Sequence, residues 1–160
     1  MRYLALIFAA ACATVPIPSH LESPILAYPI NDTTFDRPDV VGAFDILLRK
    51  SAYGRLGEER AGFLVYANGQ FQLVMWPPTH KFHAEEWRGA IPEGTVAVVH
   101  THPPNQPEPS EHDRYEAERI GVPIIVLTQR SIEIIESGRV RRLHLGMRNA
   151  ECCVEYTDRQ

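Results

Sequence analysis

Two histidines separated by one residue are the part of this sequence best suited to metal chemistry. His100 and His102 follow the apolar run 95–99, which predicts a buried strand. Because side chains alternate along a strand, residues two apart point the same way, and both imidazoles can face one ion. After ten further residues, Asp113 supplies a carboxylate, another ligand that zinc accepts. Three protein ligands leave one zinc position for water, which distinguishes a catalytic from a closed structural site.

A proline-rich loop and a helix connect the histidines to Asp113. The loop contains four prolines between positions 103 and 109, which stiffen the chain and lower the entropic cost of holding the ligands together. A helix is predicted from Ser110 to about Ile120, ended by Gly121. Ser110 with Asp113 three residues later is typical of a capping box, so Ser110 is expected to cap this helix.

The elements that must position these residues alternate between helical and extended patterns. In chain order we predict a helix over 39–53 capped by Asp39, strands over 61–66 and 70–76 joined by Asn68-Gly69, a strand over 95–99, the helix over 110–120, a strand over 123–127, and a final hairpin of 132–135 with 140–145. The connection 79–93 includes a short predicted helix near 84–88. This order predicts an α/β fold with one mixed β-sheet flanked by helices.

The combined pattern resembles that of the JAMM metalloenzymes, the JAB/MPN family. The segment from His100 to Asp113 matches H-x-H-P-x(6)-S-x-x-D at every fixed position. The family also has an upstream glutamate in an E-x-x-G-hydrophobic setting at the start of a hairpin. Glu59 with Gly62 fits that setting, whereas Glu58 is one residue out of frame. The helix and the Gly-Val-Pro that follows it look like those of family members from phage tails and the RadC group.

This resemblance, which covers roughly residues 38–145, implies a single JAB/MPN-type domain with a cytidine-deaminase-like scaffold. It also implies one Zn²⁺ per chain, held by the two histidines and Asp113. Glu59 would act as general base toward water and then as general acid toward the leaving amine, and Ser110 would donate a hydrogen bond to the oxyanion. The implied activity is hydrolysis of peptide or isopeptide bonds by a metal-activated water.

Two other functions are compatible with parts of this pattern. A zinc nucleobase deaminase shares the scaffold, but it requires both H-x-E and P-C-x-x-C, and this combination is absent from the sequence. A zinc-binding interaction module without turnover is the second alternative, because many JAB/MPN relatives have lost ligands and activity, although here every ligand is present. For an enzyme, the expected partner is a peptide, a protein or a peptidoglycan-derived substrate.

The remaining histidines and tryptophans have simpler interpretations. His80 and His83 are close enough in sequence to suggest a second metal site, but without a third ligand they are expected to be solvated or to lie at the rim of the site. His112 is expected on the exposed face of its helix. Trp76 and Trp87 are expected in the core or in the wall of a groove.

Length and composition favour one soluble domain. The 160 residues are 44% hydrophobic and 22% charged, and the net charge of −4 argues against nucleic acid as a partner. Residues 14–37 are proline-rich and predicted to form an extended leader, and residues 146–160 a C-terminal tail. The adjacent Cys152 and Cys153 lack the spacing of a C-x-x-C zinc motif and bridge each other only with strain, so free, buried and intermolecularly bridged states all stay open. The oligomeric state stays open as well.

The first 13 residues are predicted to be a signal peptide that directs export. Arg2 supplies a positive charge, the run 3–11 is apolar but too short to span a membrane, and Ala11-Cys12-Ala13 is a small-residue cleavage site. The mature protein is therefore expected outside the cytoplasm, in the periplasm or secreted. The alternative is a lipoprotein signal in which Cys12 is acylated, which would add a membrane anchor.

The intact mass of the protein from a secreting host tests this prediction. Cleavage is expected to remove the chain up to about residue 13. An acylated Cys12 at the new N-terminus would indicate the lipoprotein form. Full-length chain recovered from the cytoplasm would contradict export.

Overall fold

The computed structural model describes residues 30–55, 57–80, 86–145 and 154–157. Their helices and strands are α1 Pro38–Lys50, β1 Ala61–Ala67, β2 Gln70–Met75, β3 Thr95–Thr101, α2 Glu111–Ile120, β4 Ile124–Leu127, β5 Ser131–Glu136, β6 Arg139–Leu145 and β7 Val154–Thr157. Within these ranges, neither helix is long and apolar enough to cross a membrane. The predicted signal peptide and all three cysteines lie outside the described residues.

The strands form one sheet in the order β2-β1-β3-β4-β5-β6-β7. β3 and β4 are parallel and the other neighbouring pairs are antiparallel, which confirms the predicted α/β fold with a mixed sheet. α1 covers one face, where Phe44 and Leu47 belong to a buried apolar cluster with Val99. α2 covers the other face, where Ala117 belongs to a cluster with Val126. The central strands are therefore buried on both faces, as their apolar sequences predict.

The first hairpin and the second helix agree with their sequence signals. Asn68 and Gly69 both have positive φ, the conformation that a two-residue hairpin turn requires. Ser110 is the N-cap of α2, and Gly121 ends the helix with a left-handed φ of 74°. β3 extends two residues beyond the predicted strand, so that it includes His100. The site histidine is thereby part of the sheet itself.

The predicted cap of α1 is wrong. The helix begins at Pro38, its N-cap is Arg37, and it ends at Lys50, because proline is favoured in the first helical turn, where its missing N–H is not needed. Asp39 instead lies inside the first turn, where its carboxylate accepts hydrogen bonds from the backbone N–H of Val40 at 3.0 Å and of Phe71 at 2.9 Å. Asp39 therefore joins the start of the helix to β2.

The domain includes segments that the sequence assigned to its flanks. Residues 32–36 form a 3₁₀ helix in which Thr34 and Phe35 are buried, so this part of the predicted 14–37 leader packs into the core. β7 lies in the predicted tail and pairs with β6, although its short sequence carries no distinctive strand pattern. Of the helix predicted near 84–88, the described residues 86–88 are not helical.

The position of Asp39 predicts a pH-dependent contribution to stability. The hydrogen bond from Arg37, opposed by partial burial and supported by the two backbone N–H groups, holds the pKa of Asp39 well below its usual range. A carboxylate whose folded pKa is lowered stabilises the fold above its unfolded pKa of about 4, and this stabilisation is lost as the pH falls further. Asp39→Asn is therefore expected to lower the free energy of unfolding at pH 7 by on the order of 1–3 kcal/mol, measured by urea unfolding.

Asp45→Asn provides a matched control on the same helix. Asp45 pairs with Arg49 at 2.8 Å in an exposed i,i+4 contact, and such pairs contribute about 0.5 kcal/mol or less. The difference in the free energy of unfolding between Asp39→Asn and wild type should become smaller at acidic pH. Equal stability of the two variants at pH 7 would contradict the role assigned to Asp39.

Candidate metal centre

The two motif histidines lie at the end of the central strand β3. His100 is paired in register with Ala61 of β1 and with Val126 of β4. His102 follows the strand, but its backbone N–H still donates to Leu127 O at 2.9 Å. Both histidines are therefore held by backbone hydrogen bonds to neighbouring strands rather than by a free loop.

Thr101, between the histidines, fixes the chain that carries Glu59. The N–H of Arg60 donates to Thr101 Oγ1 at 3.0 Å, and the N–H of Thr101 donates to Arg60 O at 3.0 Å. The Arg60 guanidinium also donates to the carbonyl of Glu59 at 2.7 Å. Sequence reasoning did not identify Thr101 or Arg60 as site residues. The sequence signal for Thr101 is its place between His100 and His102 on a strand, which turns its side chain to the opposite face of the sheet.

Glu59 and the two histidines converge. His100 Nε2 and His102 Nε2 are 3.1 Å apart, and Glu59 Oε1 is 3.9 Å from His102 Nε2. Each of the three residues is at most 9% exposed. Among the described residues, these three form a group whose ligand atoms all lie within 4.8 Å of one another, the spacing of a possible metal site.

Asp113 reaches the same point from the first turn of α2. Its Oδ1 is 3.2 Å from His100 Nε2, and its Oδ2 is 3.7 Å from His102 Nε2. Oδ2 also accepts hydrogen bonds from the backbone N–H and the hydroxyl of Ser110, both at 2.7 Å. The Ser110 hydroxyl accepts in turn from the N–H of Asp113 at 3.1 Å. The predicted capping box is thus confirmed, and in this structure the hydroxyl proton of Ser110 is directed to Asp113.

These distances and donor types fit zinc. Ligand atoms 2.0–2.1 Å from zinc at tetrahedral angles lie about 3.3 Å apart. The contacts of His100 Nε2 with His102 at 3.1 Å and with Asp113 at 3.2 Å are close to that value. The contacts of His102 Nε2 with Asp113 and with Glu59 are longer, at 3.7 and 3.9 Å. Since Oδ2 of Asp113 is engaged by Ser110, Oδ1 is left for an ion. Asp113 and Glu59 are therefore both candidates for the third ligand beside the two histidines.

The charges in the centre depend strongly on one another. Burial disfavours a charged His100, but the hydrogen bond and negative charge of Asp113, together with the charge of Glu59, outweigh it and raise the pKa of His100. Burial and the charge of His100 lower the pKa of His102. Burial opposes ionisation of Asp113 as well, yet His100 and Ser110 hold the pKa of this carboxyl well below its usual range. The lowered pKa of Asp113 favours its carboxylate form, the form in which a carboxyl group binds a metal.

The proline-rich loop between the histidines and α2 is attached to the sheet. Glu108 in this loop accepts a hydrogen bond from Arg142 of β6 at 3.2 Å. Arg142 also pairs with Glu133 of β5, which is only 2% exposed. Glu133 lies opposite Arg142 on the neighbouring strand and opposite Val126 on the other side. Val126 in turn lies opposite His100. The loop is thus anchored to the row of sheet residues that includes the first ligand.

The other predicted residues lie outside this centre. Glu58 turns away and pairs with Arg60 at 2.7 Å and with exposed His80 at 3.7 Å, in agreement with the frame that favoured Glu59. His112 is exposed, as expected. His83 lies outside the described residues.

The two tryptophans are half-buried against the apolar cluster on the α2 side of the sheet. Phe63 lies 5.2 Å from each of the Trp76 and Trp87 rings, measured between centroids. This packing agrees with the expectation that both rings belong to the core or to a groove wall.

Comparison with known proteins identifies a family that matches this chain. The family model for prokaryotic homologs of the JAB domain matches residues 46–144, well over half of the 160 residues. A search of the curated proteins found no match to this chain. The matched range includes β1 through β5, all of β6 except its last residue, both histidines and Asp113. The chain belongs to the JAB domain family, among its prokaryotic homologs.

Proposed function

We propose that this protein is an exported zinc-dependent metallopeptidase or isopeptidase. The observation that carries the proposal is the convergence of two imidazole nitrogens and two carboxylates at one buried point of a JAB domain. The contacts of His100 with His102 and with Asp113 have the ligand spacing of zinc, and His102 lies 3.7 and 3.9 Å from the two carboxylates. A structural zinc site needs four protein ligands, whereas three ligands beside a spare carboxylate suit hydrolysis.

Each side chain has a distinct task in this proposal. His100, His102 and Asp113 hold the ion. Bound zinc supplies a Lewis acid that polarises the carbonyl and lowers the pKa of water. Glu59 accepts a proton from the attacking water and delivers it to the leaving amine, acting first as base and then as acid. Its backbone is fixed by Arg60, which limits the loss of orientation that would slow such a step.

Ser110 supports the site in one of two ways. Family resemblance assigns it a hydrogen bond to the oxyanion, whereas its hydroxyl here donates to Asp113 at 2.7 Å. A hydroxyl has one proton and can serve one acceptor at a time. We therefore assign Ser110 first to the orientation of Asp113, a role that outer partners of metal ligands commonly have.

The proposed substrates are peptide or isopeptide bonds of the cell envelope, including peptidoglycan cross-links. This choice follows from the predicted signal peptide, since an exported enzyme meets envelope peptides. Profiling the zinc-loaded protein against muropeptides and isopeptide-linked peptides tests it. The alternative function is a zinc-binding interaction module, which would bind zinc and cleave nothing across that panel.

The ligand assignment predicts one zinc per chain. Elemental analysis of wild type should give one equivalent, and His102→Ala should lose it. His112→Ala is the matched control, because His112 is exposed beside Asp113 and should retain zinc fully. Zinc should also raise the melting temperature of wild type, because a ligand that binds the native state stabilises it. Stoichiometric zinc in a His100→Ala, His102→Ala double variant would show that the ligands are misassigned.

The assignment of Glu59 predicts a separation of zinc binding from hydrolysis. Glu59→Gln should keep its zinc and lose activity by about 10²- to 10⁴-fold, because an amide cannot transfer the proton. Glu58→Gln should be nearly silent, since Glu58 contacts Arg60 and His80 instead of the centre. Both rates are measured on the same cleaved peptide.

Several outcomes of this comparison would overturn the assignment. Zinc loss in Glu59→Gln, with zinc retained in Asp113→Asn, would make Glu59 the ligand. An active Glu59→Gln beside an inactive Glu58→Gln would show that Glu58, one residue earlier, is the motif glutamate.

Ser110→Ala in the same assays should weaken zinc binding and cost about 1 kcal/mol of stability as a lost cap. Unchanged zinc binding with a 10²- to 10³-fold loss of rate would restore the oxyanion role.

A further inference from the structure

The turn after α1 has a costly backbone conformation. Ala52, Tyr53 and Gly54 have consecutive φ values of 48°, 56° and 76°. For residues with a side chain, left-handed backbone costs on the order of 1–3 kcal/mol each and persists only where the surroundings enforce it. The turn is held to the helix by Ser51, whose carbonyl accepts from the Gly54 N–H at 3.0 Å. Ser51 itself is fully buried.

Gly54 packs directly against the backbone that carries His102. A Cβ atom on Gly54 would lie 2.8 Å from Pro103 Cα and 2.9 Å from the carbonyl oxygen of His102. These are main-chain atoms and cannot rotate away as a flexible side chain could. The absence of a side chain at position 54 is therefore a condition for the observed path of the metal-binding loop.

The opposite sides of His102 are also occupied. Its N–H donates to Leu127 O at 2.9 Å, and its Nδ1 is 3.0 Å from Gln106 O. The first contact holds the backbone and the second fixes the ring, so that Nε2 faces His100. With β4 on one side and the Gly54 turn on another, a displacement at Gly54 would be transmitted to the ligand nitrogen.

We infer that Gly54 is a positioning residue for the metal ligand His102. This inference rests on the proposed zinc site. The strained turn sets the distance between the end of α1 and the His102–Pro103 backbone, and through it the position of Nε2. A metal site must hold its ligands to within about 0.5 Å, so a shift of a few tenths of an ångström matters.

Zinc affinity, measured by competition with a chromophoric chelator, tests the inference without a substrate. Gly54→Ala is expected to weaken zinc binding by about 10- to 100-fold, the usual effect of disturbing groups that orient a ligand. Gly69→Ala is the matched control, because Gly69 has a φ of 81° but open space around a Cβ. It imposes similar backbone strain and should leave zinc affinity unchanged.

Gly54→Asn separates contact from strain. Asparagine tolerates left-handed backbone better than alanine, yet it carries the same Cβ toward His102. The inference predicts that Gly54→Asn binds zinc as weakly as Gly54→Ala. Wild-type affinity in either variant would overturn it, and restoration by asparagine would show that backbone strain alone was responsible.

Hydrogen exchange of the wild-type protein covers the case in which the Gly54 variants do not fold. If the turn and the ligand are coupled, zinc must slow amide exchange in residues 51–55, because coupling is reciprocal. The Asn68-Gly69 turn serves as internal reference and should change little. Unchanged exchange at 51–55 would overturn the inference. A wild type that folds but binds no zinc would overturn both the proposed site and this inference.

Discussion

The burial of several charges at one point is the constraint on which the rest of this structure depends. Glu59 and Asp113 are each less than a tenth exposed, and both lie within 4 Å of a histidine nitrogen. Buried carboxylates are costly unless a positive charge compensates them. Asp113 and Glu59 raise the pKa of His100, so a proton on this imidazole would compensate part of their charge, and a divalent cation would compensate both carboxylates. Such a cluster survives in a stable fold only if its members are held rigidly.

The fold holds these residues rigidly, because the strand, the helix terminus and the loop that carry them are each hydrogen-bonded to a neighbour. β3 lies between β1 and β4, so the strand that carries the first histidine is fixed along both edges. Ser110 orients Asp113 at the helix terminus, and Arg142 anchors the intervening loop through Glu108. The proposal of hydrolysis, rather than of a zinc-binding module, is supported by the JAB family membership and by the second carboxylate at the candidate site, because a module would not need a base beside its ion.

More of the candidate site could be predicted from the sequence than of the contacts that hold it in place. The histidine pair and the cap at Ser110 are local patterns in the sequence, and the resemblance to the JAB family adds Asp113 as a ligand and Glu59 as the base. The contacts of Asp39 with Phe71, of Thr101 with Arg60 and of Gly54 with Pro103 join distant parts of the chain. Hydrophobic periodicity does not predict such contacts. It also does not predict that residues 30–36 pack into the core or that β7 joins the sheet. Local signals predict elements and motifs, whereas tertiary contacts decide what holds them in place.

X-ray absorption at the zinc edge tests the central claim most directly, because it reports the ligands themselves. The zinc-loaded protein should show a shell of nitrogen and oxygen atoms at about 2.0–2.1 Å, with scattering from two imidazole rings and no sulfur. A sulfur shell at about 2.3 Å would place Cys152 or Cys153 on the metal. That result, or scattering from fewer than two imidazoles, would contradict a centre built from His100, His102 and Asp113.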